Sequence, residues 1–457
     1  MDTDKSLVEH LVITRGQDPN QSRGSMGTPL HVAVVSGLTG TIQLLLSHGA
    51  DINSIDIKRS SPLYKAVQFQ KTDFVELLLK GGADVDIRNI YDSTPLHEAV
   101  GLGYYDIAQL LINHGADVNA LDCEGVSPLY KAVQLQDPDF VELLLKDRAD
   151  VNIRVFYYST PLHEAVEYGN LDIAQLLISY GADVNALDRE RDSPLCKAVQ
   201  LQDPNFVELL LRGGADTNIR GFCDSTPLHE AIVEHGDLDI AQSLISHGAD
   251  VNALDDAKDS PLCLAVKLQD TGFVELLLKG GADANIRNTR DDSAPLHEAL
   301  KRRNLILAQL LISHGADVNA LDREMVSPLC KAVQFQSSDF VELLLKGGAD
   351  VNVRNCHNST PLHEAVESGR LDVVQSLLTL GRQGADVNAQ DPCLKTSLHL
   401  ASLKGSLDLS RLLIEHGANV NIQDFEGRTP FSVALAGGHR KLARFLSNDH
   451  VMDVDSD

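Results

Sequence analysis

A TPLH-like tetrapeptide recurs thirteen times along the chain, beginning at Thr28, Ser61, Thr94, Ser127, Thr160, Ser193, Thr226, Ser260, Ala294, Ser327, Thr360, Thr396 and Thr429. The step is 33 residues almost throughout, with one extra residue near His235, one within residues 289–293 and three at residues 381–383. Such a period restricts the fold to a stack of small modules, because one module cannot enclose a core and must bury its apolar side against the next. A chain of 457 residues built this way need not divide into separate globular domains.

Residues 160–188 (TPLHEAVEYGNLDIAQLLISYGADVNALD) show how one module is made. Pro161 stands where a helix begins without needing its backbone N–H, and Thr160 is placed to cap it. Leu162, Ala165 and Val166 fall on one face of a short helix that Gly169 ends. Ile173, Leu176 and Leu177 form the face of a second helix, closed by Gly181. The segment ADVNALD and the polar stretch after it fit a turn or hairpin. Neither helix is long enough to be stable alone. Apolar residues make up 43% of the chain but aromatics only 5%, and tryptophan is absent, so small aliphatic side chains must do the packing.

TPLHEAV, LLISHGADVNALD and the 33-residue period resemble the ankyrin repeat, over about residues 6 to 450. The resemblance implies an all-α chain of helix-turn-helix repeats with short β-hairpin fingers, stacked into an elongated, curved solenoid with a concave binding face. It divides the chain into an N-terminal partial repeat (1–27, with residues 7–13 matching a second helix), twelve repeats (28–428), a capping repeat (429–450) and an acidic tail (451–457) expected to be disordered. Arg440, Lys441 and Arg444 make the last helix more polar than its relatives, as a terminal cap requires.

The modules alternate in a doublet of about 66 residues, one type beginning TPLHEAV and the other SPLYKAV. Two residues after the Leu of this motif, the first type supplies Glu98, Glu164, Glu230, Glu298 and Glu364, and the second supplies Lys65, Lys131, Lys197 and Lys331, with a break at Leu264. The resemblance places this position on the concave side. With neighbouring helices about 8–10 Å apart, opposite charges on adjacent rungs can pair across the stack, or the ladder can act as a charge ruler for a long partner.

At every second tip an arginine recurs: Arg88, Arg154, Arg220, Arg287 and Arg354. Beside these the sequence varies, through Ile90-Tyr91, Val155-Phe156-Tyr157-Tyr158, Phe222-Cys223 and Cys356-His357. Aromatics and arginine are the usual hot spots of interfaces, and the resemblance implies that tips carry partner specificity. Candidate partner-binding residues are therefore Arg88, Tyr91, Arg154, Phe156, Tyr157, Tyr158, Arg220 and Phe222, with Lys131, Glu164 and Lys197 from the ladder. The strongest contact is expected at Phe156 to Tyr158; the alternative is that these rings pack on the neighbouring tip. By resemblance again, Asn119, Asn185, Asn252 and Asn319, each eight residues after a Leu, look like sites of the oxygen-dependent asparaginyl hydroxylase that modifies ankyrin repeats. The other reading is that asparagine stabilises the turn.

Signals for chemistry are missing. HEAIVEH at His229 and His235 spaces its histidines six apart, which does not bring them onto one helix face. His31, His97, His163, His229, His297, His363 and His399 are absorbed by the repeat, where the resemblance implies that each bonds to the backbone of an adjoining turn. No phosphate-cradling loop or nucleophile elbow occurs, so neither catalysis nor a metal or cofactor is expected. Seven cysteines without a CxxC pair give no disulfide framework and no zinc spacing. Cys196, Cys263 and Cys330 take the place held by Tyr64 and Tyr130 in other modules and are expected to pack there.

A formal charge of −26 disfavours nucleic acid and anionic membranes as partners and favours a basic or amphipathic protein segment. The start of the chain lacks a basic segment followed by a long apolar stretch, and nothing later reaches membrane-spanning length, so a cytoplasmic or nuclear monomer is expected. The functional expectation is a non-enzymatic scaffold or adaptor. Alternatives are a substrate-recruiting adaptor of a ubiquitin-ligase complex, for which the dozen residues after Phe445 leave little room, a host-directed effector of a pathogen or symbiont, and a mechanical spacer hinged at residues 381–383.

Overall fold

The computed structural model describes residues 18–22, 27–155, 158–233, 236–288, 292–380 and 384–447. The expected second helix at residues 7–13, the acidic tail and the insertion at residues 381–383 lie outside the described residues. The chain forms two compact units, Met1–Phe222 and Cys223–Asp457. Among the described residues are twenty-six α-helices, two for each of the thirteen motifs, and no strand.

The helices start and stop where local chemistry requires. Thr160 is extended (φ −103°, ψ 163°) and Pro161 opens the helix Pro161–Glu167. In the second type of repeat the cap is serine: Ser193 Oγ accepts from the Cys196 N–H at 3.2 Å. The second helix, Leu171–Ser179, is capped by Asn170, whose side chain accepts from the Ile173 N–H at 3.1 Å. It ends at Gly181, which takes a left-handed conformation (φ +88°) that a side chain would strain. Arg148 holds the corresponding position of its own repeat at φ +67°.

The core follows from the same spacing. Leu162, Ala165 and Val166 are at most 1% exposed, as are Ile173, Ala174 and Leu177. Leu176, expected in the second helix face, is only half-buried; the small Ala174 takes its place beside Ile173, the i and i+4 residues supplying the rest of the stripe. Pro161–Glu167 packs on its own second helix and on the first helices of both neighbours, Pro128–Gln134 and Pro194–Gln200. A buried leucine contributes about 2 kcal/mol, so a pair of helices this short depends on both neighbours for its stability. The three cysteines do pack: Cys196, Cys263 and Cys330 are at most 4% exposed, and burial pushes the Cys330 thiol up to about 11.

The expected fingers are tight turns. Asp122 Oδ1 accepts from the N–H groups of Glu124 and Val126, both at 2.9 Å, and Asn89, Asp188 and Asp391 do the same in their own turns. Single backbone bonds link successive tips, with Ile90 N–H donating to the Lys58 carbonyl and Cys123 N–H to that of Tyr91, each at 2.9 Å.

Candidate interaction surface

Most of the recurring polar groups of the motif have a scaffold partner. His163 is 0% exposed; its Nε2–H donates to the Asp192 carbonyl at 3.1 Å, and its Nδ1 accepts from the Thr160 N–H at 3.3 Å. A donor on one side and an acceptor on the other require the neutral ring. His31, His97, His363 and His399 make the same pair of bonds, and burial holds the pKa of each below the ordinary histidine value. His297 departs from the pattern: Ala294 supplies no hydroxyl there, and the buried Nε2 has no hydrogen-bond partner.

The asparagines form a second spine. Asn119 Oδ1 accepts from the Asp150 N–H at 2.7 Å while its Nδ2–H donates to the Arg148 carbonyl at 3.3 Å, joining one repeat to the next. Asn185 and Asn319 make both bonds, and Asn252 accepts from the Asp283 N–H at 2.8 Å. These side chains thus stabilise the turn between repeats. Asp86 stands in this row as a carboxylate: it accepts from the Asp117 N–H at 3.0 Å but has no hydrogen to donate, and burial raises its pKa. Asp86→Asn is therefore expected to stabilise the fold by about 1 kcal/mol, read as an increased urea midpoint; a lower midpoint would refute the argument.

The ladder is wired differently from the expected Glu–Lys pairing across the stack. Lys65 pairs with Asp56 at 3.3 Å, Lys197 with Asp188 at 3.2 Å and Lys331 with Asp322 at 2.6 Å, in each case the turn aspartate nine residues upstream. The glutamates bond elsewhere: Tyr64 Oη–H donates to Glu98 at 2.7 Å, Tyr130 Oη–H donates to Glu164, and Asn355 Nδ2–H donates to Glu364 at 2.5 Å. Lys131 has no carboxylate within ion-pair distance among the described residues, and its side chain lies against Gly101. Glu298 pairs with Arg302 of its own helix at 2.7 Å.

The tip arginines also work within the scaffold. Arg88 Nη1–H donates to the Leu121 carbonyl at 2.5 Å, Arg154 to that of Leu187 at 3.4 Å, Arg287 to that of Leu321 at 2.7 Å and Arg354 to that of Gln390 at 3.0 Å. Arg220, half-buried, holds the equivalent position. The rings beside them face solvent: Tyr91 is 61% exposed, Tyr158 60% and Phe222 69%. Phe156 and Tyr157 lie outside the described residues. Glu164 and Lys197 come together in one open cleft with Tyr130, Glu167, Asp188 and Glu190, where carboxylates outnumber cations. Sequence reasoning passed over Phe425, at 80% the most exposed large apolar side chain among the described residues, although its equivalence to Ile90 and Phe222 was readable from the repeat.

Among the described residues no group of three His, Cys, Asp or Glu side chains could hold a metal ion, and no helix is long and apolar enough to cross a membrane. His235 of HEAIVEH lies outside the described residues. What the geometry defines is a helical repeat protein whose polar groups mostly hold adjacent modules together and whose exposed rings and carboxylates face outward from tips and first helices. The chain belongs to the ankyrin-repeat family: the family described as "Ankyrin repeats (3 copies)" matches residues 1–89, 82–155, 157–221, 228–322, 296–391 and 379–457. It is similar to an ankyrin repeat protein of fowlpox virus (strain NVSL), 31% identical over 21% of this chain and 16% of the relative. It is also similar to the ankyrin repeat and KH domain-containing protein mask-1 of Caenorhabditis elegans (35%; 22% of this chain, 4% of the relative) and to ankyrin repeat and SOCS box protein 5 of Oryctolagus cuniculus (34%; 23% and 31%). The matches span less than a third of these relatives' lengths. Among solved structures, the ankyrin repeat domain of Bcl-3 is 30% identical, with a TM-score of 0.43, and the match covers 55% of this chain and 97% of that one. Ankyrin repeats are generally protein–protein interaction modules, and nothing in family or fold points to catalysis.

Proposed function

We propose that this chain is a cytoplasmic scaffold or adaptor that holds a basic or amphipathic segment of another protein against its first-helix face and tips. The observation that carries the reading is the cleft of Glu164, Glu167, Asp188 and Glu190 beside tips that leave Tyr91, Tyr158 and Phe222 more than half exposed. Rings left in water at a tip contribute nothing to the core, whereas in an interface they become anchors. Carboxylates in excess of cations steer a positively charged segment, an attraction that weakens with salt. A cytoplasmic setting is supported by seven free cysteines, four of them exposed, which suit a reducing compartment.

The test is affinity purification with the intact chain against a Phe156→Ala, Tyr157→Ala, Tyr158→Ala variant and a Tyr91→Ala, Phe222→Ala variant. Proteins captured by the unaltered chain and lost from a tip variant are the expected result. Capture unchanged by both sets of substitutions, at any salt concentration, would overturn the reading.

A further inference from the structure

The turn between the two helices of each repeat forms the edge of the stack away from the tips, since the first helix runs from its tip to this turn and the second runs back. In the unit Met1–Phe222 this edge carries an apolar side chain in five consecutive repeats, Phe69, Leu102, Leu135, Tyr168 and Leu201, spaced 33 residues apart. Each is between 44% and 54% exposed, so the row is not used by the core. Tyr105 and Leu171, 42% and 36% exposed, widen it. A second row with the same period runs alongside, made of the exposed carboxylates Asp73, Asp106, Asp139 and Asp172. Lys71 is the one cation in these five turns (residues 68–73, 101–106, 134–139, 167–172 and 200–205).

The unit Cys223–Asp457 does not repeat this pattern. Arg302, Ser368 and Lys404 interrupt the apolar row, and Ile306 stands in the acidic one. Four of its edge cations are engaged locally: Lys267 with Asp259 at 2.5 Å, Arg302 with Glu298, Arg370 with Asp372, and Arg303 over the Phe335 ring at 5.4 Å. That makes this edge of a second copy a poor match for the acidic row.

The spacing selects the occupant. Stacked helices put rungs about 8–10 Å apart, and a helix advances about 10.5 Å in seven residues. A helix laid along the edge therefore presents one apolar residue per rung from a single face, with its neighbours at i+3 and i+4 filling between. An extended chain advances about 10 Å in three residues, and an odd step turns successive side chains to opposite faces. The aspartate row then requires lysine or arginine flanking the apolar face. We propose that the inter-helix edge of the unit Met1–Phe222 docks a basic amphipathic helix of a partner protein, separately from the tip surface.

The test uses the full chain and a fluorescent peptide of four heptads, each Leu-Lys-Lys-Leu-Ala-Lys-Lys, followed by anisotropy. Expected is saturable binding that weakens at least tenfold in a Leu102→Ser, Leu135→Ser, Tyr168→Ser variant and stays unchanged in Leu268→Ser and in Leu435→Ser. Because the three substituted side chains are exposed, circular dichroism of the edge variant should match that of the unaltered chain. A scrambled peptide of equal charge should bind at least tenfold more weakly. Equal binding of the scrambled peptide, or an edge variant that binds like the unaltered chain, would overturn the proposal. So would sedimentation showing a dimer that the edge substitutions dissolve, since the row would then be covered by a second copy.

Discussion

Acidification from pH 7 to pH 5 is expected to lower the unfolding free energy by several kcal/mol, well before most carboxylates protonate. His31, His97, His163, His297, His363 and His399 are buried and neutral, and burial is the leading cause of a lowered pKa in each. The folded pKa lies below the unfolded value of about 6.5, so these groups contribute fully above that value. As pH falls below it, the unfolded chain takes up protons that the folded chain refuses. Each histidine in that window steepens the loss by at most about 1.4 kcal/mol per pH unit, the limit for one whole proton. Protonation would also put a hydrogen on the Nδ1 that accepts from the capping residue's N–H, as at Thr160 and His163. Asp86, Asp192 and Glu364, whose pKa values burial raises, act in the opposite sense and offset part of the effect as pH falls further. Urea midpoints followed by circular dichroism at pH 7, 6 and 5, with histidine ring shifts followed by NMR, measure this. A midpoint flat across the range, or rings that titrate near 6.5, would contradict it.

How far such wiring could be read beforehand depends on how far apart its parts lie. The helices were legible because Leu162, Ala165 and Val166 repeat at helical spacing and the equivalents of Pro161 and Gly181 punctuate them in nearly every module, Ser397 and Arg148 being exceptions. The role of Cys196 followed from recurrence, and that of His163 from the resemblance to the ankyrin repeat. The ladder's wiring was not legible, because rung spacing points to a partner one repeat away, at Glu164 or Glu230, whereas Lys197 reaches Asp188. The signal was present in the doublet: Asp56, Asp122, Asp188 and Asp322 each stand nine places before a lysine, and Asn89 and Asn355 nine places before a glutamate, while Asp255, Asp391 and Asp424 precede the uncharged Leu264, Leu400 and Val433. An aspartate facing a glutamate would repel it; asparagine can donate to it, as Asn355 does to Glu364. Much of the alternation is therefore charge matching inside each repeat. What hides a partner site from the sequence is that the residues left over, such as Phe425 and Leu135, satisfy nothing in the fold.

This pairing predicts that Asp188 matters more to the fold than any exposed ion pair. Its side chain is 8% exposed; Oδ1 accepts from the N–H groups of Glu190 and Asp192, both at 2.9 Å, while Oδ2 faces the Lys197 ammonium. Asp188→Ala removes the turn acceptor and leaves Lys197 without its counter-charge, which places the expected loss at about 3 kcal/mol, the low end for breaking a buried pair. The low end applies because Lys197 is itself 21% exposed and can swing toward water. Asp188→Asn keeps the acceptor oxygen, as Asn89 does in its own turn, and is expected to lose about 1 kcal/mol. Exposed pairs such as Lys80 with Glu76, screened by solvent, are expected to contribute far less. Because a repeat array can open piecewise, hydrogen exchange over residues 183–197 should accompany the urea midpoints: protection there should fall most in Asp188→Ala and least in a Glu76→Gln control. Equal stability of all three variants would show that the lysine ladder is free of the scaffold and available to a partner.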